Sequence, residues 1–141
     1  MISLLYIKEI LLRVFQTEGL NLLKKNFEKS IQDDKIQKSI NFIRTHLKDK
    51  ITIQQIAGIS GMGQTTFFKK FKKCTGHSPI EFILHERIGR AKMMIQKNQL
   101  SLQEIAFQCG FNSYEYFCSS FRRLEKKKPS EFKKEKLVSF S

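Results

Sequence analysis

A chain of 141 residues with 40% hydrophobic content can build one core with a short appendage, so a disordered polycation is excluded. Its net charge of +13 is confined to residues 35–141, which hold 21 Lys and Arg against eight acids, while residues 1–34 hold five of each. A folded segment with that surplus suits a polyanion, because each cation beside a phosphate releases a condensed counterion; solubility alone is the plainer reading of the same charge.

Two prolines and seven glycines leave long stretches free to be helical. Residues 3–27 read as one amphipathic helix or two short ones. Leu4, Ile7, Leu11 and Val14 follow a 3-4-3 spacing beside Leu5, Leu12 and Phe15, and Gly19 breaks the pattern before Leu20, Leu22, Leu23 and Phe27. Such a stripe needs a cover, either the chain's own domain or a second copy in a homodimer, and periodicity does not choose between them. Lys8, Glu9 and Arg13 interrupt the apolar start too early for a spanning helix or a signal peptide, so no membrane partner is expected.

Gln32-Asp33-Asp34 reads as a polar break capping a helix from Lys35 to Leu47, with Ile36, Ile40, Ile43 and Leu47 on its apolar face. Thr52-Ile53-Gln54-Gln55 has the capping-box pattern and opens a short helix to about Ser60, followed by a Gly61-Met62-Gly63 turn. Gln64 to Thr75 returns to helical spacing with Phe67, Phe71 and Cys74 on one side, and Gly76 is a natural C-terminal cap. Ser78-Pro79-Ile80-Glu81 supplies a Ser cap, Pro at the first helical position and Glu at the third. The helix it opens reaches Lys97 or Asn98, with Phe82, Ile83, Ile88, Ala91 and Ile95 as its buried face.

The chain then repeats itself. Residues 51–61 (ITIQQIAGISG) align with residues 100–110 (LSLQEIAFQCG), each opening on a hydroxyl cap, Thr52 or Ser101. One extra residue in the second turn shifts the pairing to an offset of 50. Phe67 and Phe71 then meet Phe117 and Phe121, and Pro79-Ile80-Glu81-Phe82 meets Pro129-Ser130-Glu131-Phe132. Ala57 and Ala106 are small where two helices cross, and the turn glycines permit a backbone angle costly for other residues. The Phe pairs, four apart, anchor one face of each second helix and leave the other exposed. Exposed residues near the start of such a helix are the ones that reach base edges in a major groove.

The ordered set of motifs resembles the DNA-binding domain of the AraC/XylS family of transcription regulators over roughly residues 35–134. It comprises Ile53-Gln54-Gln55-Ile56-Ala57 and Leu102-Gln103-Glu104-Ile105-Ala106, Gly61-Met62 and Gly110-Phe111, Phe67-x-x-x-Phe71 and Phe117-x-x-x-Phe121-Arg122-Arg123, Thr75-Gly76-His77-Ser78-Pro79, and Pro129-Ser130-Glu131-Phe132. The resemblance implies an all-α, homeodomain-like fold: two helix-turn-helix units, at about 53–75 and 102–125, joined by a long linker helix within a 35–137 domain. Residues 1–34 would form a helical segment, for dimerisation or as the remnant of a lost sensing domain, since about 34 residues are too few for a sensing barrel. Carried over by position, base-reading candidates are Thr65, Phe68 and Lys69, then Tyr114, Glu115, Cys118 and Ser119. Lys72, Lys73, Arg122 and Arg123 are phosphate candidates. The implied activity is sequence-specific binding of double-stranded DNA to regulate transcription in a bacterial cytoplasm, in association with the nucleoid, with RNA polymerase as a further candidate partner.

Three departures from the family pattern carry expectations. Gly63 stands where a Ser-type cap is usual, so the first recognition helix is less firmly held. Glu125-Lys126-Lys127-Lys128 replaces an aromatic, a Gly and a Ser, so the C-terminal helix is expected to fray. Phe68 is apolar at a groove-facing position and is expected to fold back onto protein rather than meet a thymine methyl. Rival readings are a non-specific architectural binder and an adaptor that has lost DNA binding. An enzyme is not expected: the fused cysteine alkyl-transfer chemistry of some relatives needs clustered cysteines ahead of the domain, and residues 1–34 have none. Cys74, Cys109 and Cys118 are odd in number and lack a CxxC, which fits reduced thiols and neither a metal nor a cofactor.

Overall fold

The computed structural model describes residues 4–14 and 19–139, so the part of the N-terminal reading that falls on Ser3 and Phe15 lies outside the described residues. Among those described, the chain forms eight helices and no strand. They are α1 (Leu4–Val14), α2 (Leu20–Thr45), α3 (Ile53–Ser60), α4 (Gln64–Thr75), α5 (Pro79–Lys97), α6 (Leu102–Gln108), α7 (Tyr114–Glu125) and α8 (Pro129–Ser139). The all-α architecture with two helix-turn-helix units and a linker helix is therefore present.

Local chemistry sets most helix ends. Thr52 and Gln55 complete a reciprocal capping box: Gln55 N donates to Thr52 Oγ1 at 3.2 Å and Thr52 N donates to Gln55 Oε1 at 3.0 Å. Ser78, Ser101 and Ser113 each accept the backbone N–H three residues on, as N-caps of α5, α6 and α7. Both turns close with the same pair of backbone bonds. Met62 N donates to Ala57 O at 3.3 Å and Phe111 N donates to Ala106 O at 3.1 Å. The turn residues Gly61 and Gly110 lie at φ +71° and +92°, where a Cβ would be strained.

Two cores share one helix. Ile36, Ile43 and Leu47 of α2 and its exit pack with Ile56, Ala57, Phe67, Phe71 and, from α5, Phe82 and Ile83. From the next residue onward α5 faces the other way: Leu84, Ile88, Ala91 and Ile95 pack with Ile105, Ala106, Cys109, Phe111, Phe117, Phe121 and Phe132. The α2 positions 36, 40, 43 and 47 have the same 4-3-4 spacing as 84, 88, 91 and 95 of α5. The duplication thus includes the helix ahead of each unit.

Three expectations are corrected. Gln32-Asp33-Asp34 does not break the chain; α2 runs through it, because Asp costs a helix only about 0.7 kcal/mol against about 3 for Pro. Cys74 is exposed rather than buried with Phe67 and Phe71, its thiol donating to Asp33 Oδ1 of α2 at 3.6 Å. The Ser78 cap, Pro79 start and first-turn Glu81 stand as read, and the Glu81 carboxylate is taken by Arg123. The C-terminal helix is formed, not frayed: Phe132 is buried, Lys128 N donates to Glu131 Oε2 at 3.3 Å, and Lys127 pairs with Glu135.

Lys126 stands where the first copy has Gly76, and it adopts the same left-handed conformation, φ 65° against 80°. A side chain in that region is strained. Lys126→Gly should therefore stabilise the protein by a net ~0.5–1 kcal/mol, the released strain less the added chain entropy. Thermal unfolding followed by circular dichroism should show a midpoint higher by roughly 2–6 °C. An unchanged or lower midpoint would deny the strained cap.

Candidate nucleic-acid interface

Each second helix is fixed from behind. Phe67 and Phe71 of α4, and Phe117 and Phe121 of α7, are fully buried. Burying a Phe is worth about 1.5–3 kcal/mol. That is several times what a surface charge pair contributes, so the apolar faces decide how α4 and α7 are rotated. Every other side chain on these helices takes its direction from that choice.

On α4 the rotation leaves Thr65, Lys69 and Lys72 exposed on the face opposite the Phe pair. Phe68 is 39% exposed and belongs to neither core, so it does not fold back onto the protein as expected. Lys73 is exposed one turn beyond Lys69 and also borders a groove toward α2 with Lys70, Lys29 and Asp33. The helix starts at Gly63 with no side-chain cap, whereas α7 starts at Ser113, whose hydroxyl accepts from Tyr116 N at 3.1 Å. Among the described residues the ion pairs are Arg44–Glu86, Lys92–Glu125, Arg123–Glu81 and Lys127–Glu135, so the α4 lysines are spent on none.

On α7, Glu115, Ser119 and Arg122 are exposed, while Tyr114 and Cys118 are half-buried against the second core. Burial and the neighbouring Cys118 thiol push the Tyr114 phenol up, so it stays neutral. The Ser119 hydroxyl donates to Tyr116 O at 3.1 Å and keeps its acceptor capacity for a ligand. Together these residues line an open groove with Arg122, Arg123, Lys126, Lys128 and Ser130. Lys126 and Lys128 were not among the candidates from sequence. Their signal was the Lys126-Lys127-Lys128 run, which reads as a lost helix cap before it reads as a binding edge.

Arg123 differs from its neighbour. Its guanidinium meets Glu81 in a two-point contact, Nη2 to Oε1 at 3.0 Å and Nη1 to Oε2 at 3.4 Å, tying α7 to the start of α5. Arg122 has no such tie among the described residues. Of the two, Arg122 is the one with its charge available. Cys109 is buried beside Met94, and burial pushes its thiol up to about 11, so it serves the core and not the surface. Among the described residues no cluster of three His, Cys, Asp or Glu could hold a metal ion, and no helix is long and apolar enough to cross a membrane.

If Arg122 faces phosphate and Arg123 braces the fold, the two alanine variants separate. Arg122→Ala should lower the slope of log affinity against log salt by about 1. Arg123→Ala should leave the slope nearly unchanged and cost at most about 1 kcal/mol of stability, since the pair is well exposed. Equal slopes for both variants would cancel this division.

A family model described as a helix-turn-helix domain matches residues 38–135. The chain is 33% identical over 92 residues to the probable transcriptional regulator LumQ of Photobacterium leiognathi, covering 65% of this chain and 37% of that protein. It is 39% identical over 82 residues to the transcriptional activator Btr of Bacillus subtilis, covering 58% of this chain and 16% of that one. It is 27% identical over 105 residues to the xylose operon regulatory protein of Escherichia coli K12, covering 74% and 27%. The chain thus spans well under half the length of these relatives. Among solved structures, the DNA-binding domain of AdpA in complex with a target DNA has a TM-score of 0.67 at 23% identity, covering 70% of this chain and 88% of that one. An AraC-type regulator from Chromobacterium violaceum has a TM-score of 0.69 at 23% identity, covering 74% and 93%. These two likenesses share the fold described above. With the family match running from the second half of α2 into α8, the chain belongs to the AraC/XylS family of transcription regulators and carries its helix-turn-helix DNA-binding domain.

Proposed function

We propose that residues 35–137 bind double-stranded DNA at specific sequences and regulate transcription, with α4 and α7 entering successive major grooves. The observation that carries this is the pair of exposed helix faces, Thr65–Lys69–Lys72 and Glu115–Ser119–Arg122, each set opposite a fully buried Phe pair. The linker supports it: α5 has 19 residues, about 28 Å at 1.5 Å per residue. Successive grooves on one side of DNA lie roughly 34 Å apart, a distance a rigid connector of this size and its two short exits can span. The AdpA domain, solved on its target DNA, lends the same reading support by analogy.

In this reading Thr65, Phe68 and Lys69 read bases from α4, and Tyr114, Glu115, Cys118 and Ser119 read them from α7. Lys72, Lys73 and Arg122 hold phosphates, joined by Lys126 and Lys128. Leu4 and Leu11 of α1 and Leu23 and Phe27 of the first half of α2 are exposed, and a second copy of the chain is the cover we propose for them. RNA polymerase is a further proposed partner of the assembled regulator.

Selection from random double-stranded DNA tests the central claim. The expected product is an asymmetric site with two base blocks about one helical turn apart. A featureless product with a steep salt slope would favour the architectural reading, and no binding at all the adaptor. Within the selected site, Lys69→Ala should relax preference at particular bases, whereas Lys73→Ala should weaken all sequences alike. For the dimer, sedimentation of the chain should show a concentration-dependent twofold mass that Leu11→Asp with Leu23→Asp abolishes; a monomer at all concentrations would refute it.

A further inference from the structure

The two helix-turn-helix units meet where a backbone oxygen closes on a glycine. A Cβ placed on Gly110 would lie 2.0 Å from the carbonyl oxygen of Leu47 and 3.0 Å from Arg87 Nε. Leu47 lies in the segment leading from α2 to α3, and Gly110 in the turn between α6 and α7. Arg87, from α5, donates from Nε to Leu47 O at 3.0 Å and from Nη2 to Asp49 O at 2.9 Å. It is half-buried there, and its guanidinium is committed to the two carbonyls rather than to solvent.

The other turn glycine supplies a matched contrast. Gly61 has nearly the same backbone conformation, φ +71° against +92°, yet a Cβ there would meet nothing within 4 Å. Both turns need glycine for their φ, but only the second also needs it for the contact with the other unit. A hydroxyl or amide at this junction could shift by an ångström and keep a bond. A carbonyl oxygen against a bare Cα leaves no such slack, and Arg87 holds that oxygen from the linker side.

We propose that Gly110, Leu47 and Arg87 form a lock that fixes the orientation of α4 relative to α7, and with it the spacing between base blocks that the domain accepts. The lock rests, for its consequence on DNA, on the reading that both helices enter grooves. Gly110 and Arg87 are positioning residues: they act through the angle between the units, not by touching bases. The α5 helix sets how far apart the units stand along its axis, and the lock stops the first unit from pivoting about the short α4–α5 connection.

The test measures the angle and its consequence separately. Spin labels are placed at Lys72→Cys and Arg122→Cys, in a Cys74→Ser, Cys118→Ser background, and their separation is read by pulsed electron resonance on the free protein. The parent and Gly61→Ala should give one narrow distribution; Gly110→Ala and Arg87→Met should shift or broaden it. Identical distributions in all four would overturn the lock, whatever the DNA results. Circular dichroism checks that each variant is folded, and Arg87→Met carries the test where Gly110→Ala does not fold. In DNA selection, Gly110→Ala and Arg87→Met should keep both base blocks but tolerate spacings one or two base pairs away, with about tenfold less discrimination between spacings. The parental spacing selected with unchanged sharpness would overturn the proposal. A parent chain that selects one block only would refute the two-groove reading instead, leaving the spin-label distances to decide the lock.

Discussion

The peptide between Ile83 and Leu84 is the point on which this architecture turns. On its N-terminal side α5 completes the core around Phe67 and Phe71; on its C-terminal side it founds the core around Phe117 and Phe121. A linker that belonged to neither core would let the two units wander. One that belongs to both cannot move without opening a core, and every large buried side chain lost costs several kcal/mol. Hydrophobic burial therefore sets the distance between the exposed faces of α4 and α7. The surface pairs that α5 also makes, Arg44–Glu86, Lys92–Glu125 and Arg123–Glu81, are each worth about 1 kcal/mol or less and adjust what the cores have fixed.

The duplication has kept its packing and changed its caps. Ser60 in the first turn becomes Cys109 in the second, both buried, and the backbone bonds around them are unchanged. Gly76 becomes Lys126 with the left-handed conformation retained. The capping box ahead of each Pro-started helix is split between the copies: α5 uses Ser78 and yields Glu81 to Arg123, while α8 has Lys128 at the cap position and uses Glu131 to reach back. Cap substitutions cost about 0.5–2 kcal/mol, small beside a core, so they drift and can be reassigned to other contacts.

That difference in scale explains what the sequence made legible. The caps at Thr52, Ser78 and Ser101, the Phe pairs and the small Ala at each helix crossing rest on neighbours within a few residues, and these lie where the spacing put them. The break assigned to Gln32-Asp33-Asp34 failed because weak helix formers are not breakers. Cys74 fell on the right face of α4, but α2 offers it Asp33 and an open groove instead of a core. Arg123 with Glu81, and Gly110 with Leu47, join residues dozens of positions apart, and no local pattern marks them. The second Phe-anchored unit is marked by the repeat, whereas the matching spacing of α2 and α5 is hidden from an aligned reading by Ala91 answering Ile43.

The unequal chemistry of the two exposed faces follows from helix electrostatics as much as from any ligand. A helix carries partial positive charge at its start and negative charge at its end. On α4 three of the four lysines lie in its second half, Lys72 and Lys73 in the last turn, where the dipole favours them, and no acid lies in its first turn. Its start is left electropositive and without a side-chain cap, open to an anion. On α7 Glu115 sits in the first turn, where it steadies the helix and opposes a phosphate, and Ser113 already occupies a donor. The cations of the second unit lie instead at the far end of α7 and just beyond, at Arg122, Lys126 and Lys128. In the proposed reading the first unit grips a backbone along α4, while the second admits DNA past Glu115 only where a base offers that carboxylate a donor. Affinity from α4 and discrimination from α7 is the division these charges favour.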